Sequence, residues 1–75
     1  MTKQTAEQTI ASARIHAPRA TMRTSAEFCI SDAEALITAG DYSGAHTAAV
    51  RSLKYSVGIL SPVYTAAAAL SNGRT

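Results

Sequence analysis

The chain is poor in cysteine, proline and aromatic residues: one Cys, two Pro, three Tyr, one Phe and no Trp in 75 residues. Each shortage excludes something. A lone Cys29 cannot close a disulfide within the chain, so this is not a stapled secreted scaffold. One cysteine with two histidines, His16 and His46, cannot supply a zinc site of CxxC…CxxC or CxxC…HxxxH type. Long apolar runs are lacking too. The most apolar stretch, 57–70, is broken by Gly58, Ser61, Pro62 and Thr65, whereas a membrane-spanning helix needs about 20 apolar residues in succession. The polar start, Met1 to Thr5, leads into no apolar segment, which predicts no signal peptide. A soluble, cytoplasmic protein is the expectation. Phosphate-cradling and nucleophile-elbow glycine motifs are absent: Gly40, Gly44, Gly58 and Gly73 form no GxxxxGK, GxGxxG or GxSxG.

What the chain has in quantity is alanine, 16 residues of it. Alanine is the best helix former, and no run of alternating β-branched residues suggests a strand. Leu, Ile, Val and Phe number only 13, which predicts a thin core. A domain this small buries only about 60% of its unfolded surface, which favours self-association.

Four helices are expected. Thr5 followed by Gln8 fits a capping box opening a helix over 5–16, with Ala6, Ile10, Ala13 and Ala17 as its stripe. Pro18 disfavours a helical Ala17 and ends it. Thr24 to Glu27 fits a second capping box, for a helix over 25–39. Ala26, Cys29, Ile30, Ala33, Leu36 and Ile37 follow its apolar period. Gly40 suits a left-handed C-terminal cap and Asp41 an N-cap. A third helix over 42–60 then carries Tyr42, Ala45, Ala49, Leu53, Ser56 and Leu60. Ser61-Pro62 is an N-cap followed by proline at the first helical position. It opens a last helix over 62–71, with Asn72-Gly73 as its stop and a fraying tail. The fold class is all-α, a small bundle of three or four helices built on a central antiparallel hairpin. It reads as one domain, 1–75: an N-terminal helix and basic connection over 1–24, the hairpin over 25–60, and a short helix and tail over 61–75.

The charges are segregated. Residues 1–24 carry +3, residues 25–42 carry −4 and residues 43–75 carry +3. An acidic helix between basic neighbours suits antiparallel packing with attracting rims, although an exposed pair contributes only about 0–1 kcal/mol.

Gly40, Tyr42 and Ala45 sit at the spacing of a Gly-Asp-Tyr helical hairpin, and Ala33 and Leu36 take small and bulky positions in the helix before it. This stretch resembles the middle of a tetratricopeptide repeat. Ser52 stands where that family usually has alanine, Val57 where it closes with proline, and Cys29 where an aromatic is common. The resemblance implies a helical hairpin and protein–protein binding. Arrays of this kind need about three or more repeats, so the likeness points to a helical hairpin and not to family membership.

Few residues suggest chemistry. Cys29 lies on an apolar stripe and reads as a small buried hydrophobe. A Cys29–His46 pair is conceivable, but no third orienting group is evident. His16 and His46 read as rim residues. Asp32 and Glu34, two apart on a helix, do not face each other; with Glu27 they read as a solvated face. No catalytic, cofactor or metal residues are assigned, and no enzyme is expected. The favoured function is a non-catalytic interaction or regulatory module acting by helix-face docking, on a protein partner or on itself as a homo-oligomer. Its candidate contacts are Val50, Tyr55, Val57, Ile59, Val63 and Tyr64. The alternative is a small nucleic-acid-binding accessory protein, with Arg14, Arg19, Arg23, Arg51 and Lys54 on phosphates. No membrane partner is expected.

Overall fold

The computed structural model describes residues 1–73. Among them are four helices and no strand: α1 (Lys3–His16), α2 (Arg23–Thr38), α3 (Tyr42–Ser56) and α4 (Pro62–Gly73), with a 3-10 turn at Ala17–Arg19. The protein is a small all-α bundle. α2 and α3 pack most extensively, and α3 also meets α1 and α4, so it is the central rod.

The N-termini of α1 and α2 lie earlier than the capping boxes suggest. Thr2 caps α1, its Oγ1 accepting the Thr5 N–H at 3.1 Å. The same cap chemistry one turn before Thr5 lengthens the helix, and the Thr5 side chain instead takes the Thr2 hydroxyl proton at 2.9 Å. α2 starts at Arg23, with Met22 in the cap position and no side-chain cap. Entering there lets the Ala26 N–H bond to the Met22 carbonyl at 3.0 Å, a helical bond that a cap at Thr24 would forgo.

Pro18 ends α1, but not by extending Ala17. Ala17 stays helical (φ −57°, ψ −42°). The chain tightens into the 3-10 turn, closed by Ala20 N–H to the Ala17 carbonyl at 3.1 Å. Burial of Ala17 holds it against the usual pre-proline preference.

The bend between α2 and α3 follows the sequence closely. Gly40 is left-handed at φ 85°. Its N–H bonds to Ile37 O at 3.0 Å and Asp41 N–H to Leu36 O at 2.9 Å, the paired bonds of a Schellman cap. Asp41 then caps α3, Oδ1 accepting from Gly44 N–H at 2.9 Å. A Cβ on Gly44 would fall against the Asp41 carboxylate, well inside van der Waals contact. Gly44→Ala should therefore expel the cap and destabilise the fold by up to about 1 kcal/mol net, the lost cap outweighing alanine's better helix propensity. Urea denaturation checks this; an unchanged or raised midpoint contradicts it.

α3 stops at Ser56, four residues short of the expected Leu60. Gly58 is the reason: it is left-handed at φ 89°, and the Val57 and Gly58 N–H groups both bond to Leu53 O. Gly58 thus ends the helix inside a stretch whose apolar pattern carries on to Leu60. Ile59 and Leu60 are thereby left in the turn and exposed. Ser61 Oγ accepts from Val63 N–H at 3.2 Å and opens α4 behind Pro62 as expected. α4 continues through Asn72 to Gly73, past the expected stop. The rest of the expected fraying tail, residues 74–75, lies outside the described residues.

Alanine builds the core. Ala6, Ala13, Ala17, Ala26, Ala33, Ala45, Ala48, Ala49 and Ala67 are buried, and Ile10, Ile30 and Leu53 are the large apolar side chains among them. Methyl-sized side chains let backbones approach closely. Ser52 uses that approach: fully buried on α3, its hydroxyl donates to the Ala26 carbonyl of α2 at 2.7 Å. At the rim, Arg14 of α1 pairs with Glu34 of α2, joining the basic first segment to the acidic second.

Candidate functional site

Two places collect side chains that do more than fill space. The first is the junction of α1, α3 and α4. His46 lies there, only 1% exposed, which corrects the expectation of a rim residue. The rim assignment assumed one buried face for α3. As the middle helix it buries two, and small or apolar residues at 45, 48, 49, 52 and 53 cover both. That wide arc was the signal that could have found it. Thr9, buried on α1, donates its hydroxyl proton to Thr5 O at 3.1 Å and stands 2.9 Å from His46 Nδ1. The donor of the Thr9–His46 hydrogen bond is set by the imidazole tautomer. Nε2 is buried without a hydrogen-bond partner of good geometry. Burial holds the imidazole below its ordinary pKa of 6.5; the Ala67 backbone favours the charged form, and the terminal amine opposes it. A neutral, enclosed imidazole has no access to substrate, so this arrangement is packing with a pH dependence.

The second place is the outer face of the α2–α3 hairpin. Phe28 is 73% exposed. Beside it lies a cleft of about 430 Å³ lined by Thr24, Ser25, Phe28 and Cys29 of α2 and Arg51 and Tyr55 of α3. Cys29 is buried at its floor, as its stripe position suggests. Burial pushes its thiol pKa up, Arg51 draws it down and Asp32 raises it. A thiol held protonated is a poor nucleophile. The conceivable Cys29–His46 pairing finds no support here: Cys29 sits with Arg51 and Tyr55, while the Nδ1 of His46 is engaged by Thr9. Among the described residues, no three His, Cys, Asp or Glu side chains gather as a metal site, and no helix is long and apolar enough to cross a membrane.

The sequence candidates are distributed as follows. Val50, Tyr55, Val57, Val63 and Tyr64 are half-buried against the core, whereas Ile59 is 59% exposed. Of the basic set, Arg14 is engaged by Glu34. Arg19 lies in the 3-10 turn and Arg23 opens α2. Arg51 and Lys54 are exposed on α3, Arg51 at the Phe28 cleft. Phe28 was not among the candidate contacts. Its signal was present: an aromatic standing off the apolar stripe of an otherwise regular amphipathic helix.

Comparison with protein-family models, curated proteins and solved structures gives no match to this chain, so the tetratricopeptide likeness remains a local one of the helical hairpin.

Proposed function

We propose that this chain is a non-catalytic interaction module that docks through apolar side chains on its helix faces and turns. One observation carries the reading. Ile10, Ile30 and Leu53 are the large aliphatic side chains in the core, whereas Ile15, Met22, Phe28, Ile59, Leu60 and Leu70 are exposed. Leu60 is 94% exposed and Phe28 73%. Isolated exposed apolar residues are ordinary, but among the described residues six bulky ones stand exposed against three buried, with Leu36, Ile37, Val50, Val57 and Val63 half-buried against the core. An alanine core that excludes bulk leaves that hydrophobic area for a partner to cover.

The phosphate-binding alternative draws less support. Glu34 neutralises Arg14, and Arg51 shares its cleft with Phe28 and Tyr55. No cofactor enters the proposal. Native mass spectrometry of the protein isolated from its own cells tests it. The expected species is heavier than the 7.8 kDa chain, carrying a second copy or another protein. A bare chain at all loading concentrations, or one carrying only nucleic acid, contradicts the reading.

A further inference from the structure

Resting on that docking reading, we infer that the Phe28 cleft is the seat of a second copy of this chain, which receives Phe28 of the first and inserts its own in return. A face that carries both a projecting ring and a hollow beside it is complementary to itself. A two-fold axis can satisfy both features at once. The hollow, about 430 Å³, is large enough for a phenyl ring and has Tyr55 along one wall.

The charges on the face point to the same occupant. Asp32 stands one helical turn after Phe28, on the same side of α2. Arg51 lines the cleft from α3. Both act on the Cys29 thiol, the cation lowering its pKa and the anion raising it, so both charges lie near that thiol. The ion pair among the described residues joins Arg14 and Glu34; Asp32 and Arg51 take no part in one. One unpaired acid and one unpaired base on a single face are both satisfied by a copy of that face.

The helix directions allow this pairing. A two-fold axis running alongside the hairpin lays α2 of each copy over α3 of the other and keeps every residue at its own level along the rods. Phe28, Arg51 and Tyr55 share a level because they line one cleft. Phe28 therefore meets the partner's Arg51 and Tyr55, and Asp32 comes within reach of the partner's Arg51, twice per dimer.

The test uses purified full chains in sedimentation equilibrium, with circular dichroism confirming that each variant is folded. The wild type should sediment at twice the chain mass at micromolar concentration. Phe28→Asp should raise the dimer Kd by about 30-fold or more, the scale of an interface hot spot. Being exposed, Phe28 can change without disturbing the core. Asp32→Arg and Arg51→Asp should each weaken the homodimer, since each sets like charges opposite one another. Mixed together, these two variants should associate as a heterodimer, because both cross-chain pairs then join opposite charges, one in the wild-type sense and one with its signs exchanged. A monomeric wild type, a dimer indifferent to Phe28→Asp, or a mixture that fails to recover association overturns the inference. If the wild type is a monomer alone but is isolated from its cells with another protein bound, the second-copy assignment fails and the docking reading stands. If it is bare in both, both fail.

Discussion

Leu53→Ala is expected to destabilise the protein by about 2–5 kcal/mol, the usual range for truncating a buried leucine. The size of the effect follows from the composition of the core. Leu53 is the largest fully buried side chain, at 0% exposure, and nine of the eleven other members of its buried apolar cluster are alanines. Alanine has no rotamers with which to move into a vacated space, so the cavity stays open. A chain of this length has a total stability of only about 4–11 kcal/mol at typical per-residue values, so the variant loses a large share of it. Leu53 O also accepts the Val57 and Gly58 N–H groups that end α3; those bonds are made by the backbone and survive the substitution. The damage is therefore a packing loss, visible as a lower urea midpoint, while the helix boundaries persist. A loss below about 1 kcal/mol would contradict an alanine-walled core.

Acid should destabilise the protein through His46. Its folded pKa lies below the ordinary 6.5, so the unfolded chain binds the proton more readily than the folded one. Stability from this group is then fully present above about pH 6.5 and falls as pH drops below it, by up to about 1.4 kcal/mol per pH unit until the folded pKa is passed. No carboxylate is among the groups that shift this imidazole, and the terminal amine that does opposes its charged form. Urea midpoints at pH 7.5 and pH 5 measure the effect. His46→Leu should flatten the dependence, whatever it does to stability at pH 7.5. An equal slope in wild type and variant would remove His46 as its source.

Helix number, the central hairpin and its bend could be read directly from residue types, because each rests on local chemistry. Gly40 and Asp41 make backbone bonds within one turn of themselves, and Ser61-Pro62 does the same. Stripes such as Ala6, Ile10 and Ala13 are buried as their spacing requires. The misreadings arise where a choice depends on more distant structure. Gly58 could continue a helix or end one; its left-handed conformation ends it and moves Leu60 from the expected stripe into solvent. His46 reads as a rim residue for a helix with one neighbour, but α3 has several and buries it. Capping boxes at Thr5 and Thr24 were locally sound, yet an earlier start added helical bonds. The outward Phe28 was legible as an off-stripe aromatic, but the cleft beside it depends on Arg51 and Tyr55 of another helix. Spacing within one helix does not reveal that juxtaposition.

The central claim is that alanine faces join the helices and thereby leave bulky apolar groups outside. Nuclear Overhauser contacts on a sample mixing labelled and unlabelled chains test it most directly. The expected result is strong within-chain contact between the methyls of Ala26 and Ala33 on α2 and those of Ala45, Ala49 and Leu53 on α3, with the Phe28 ring touching core methyls of neither helix. Within-chain contacts from the Phe28 ring to Ala45, Ala49 or Leu53 would place the aromatic inside the bundle and contradict the account.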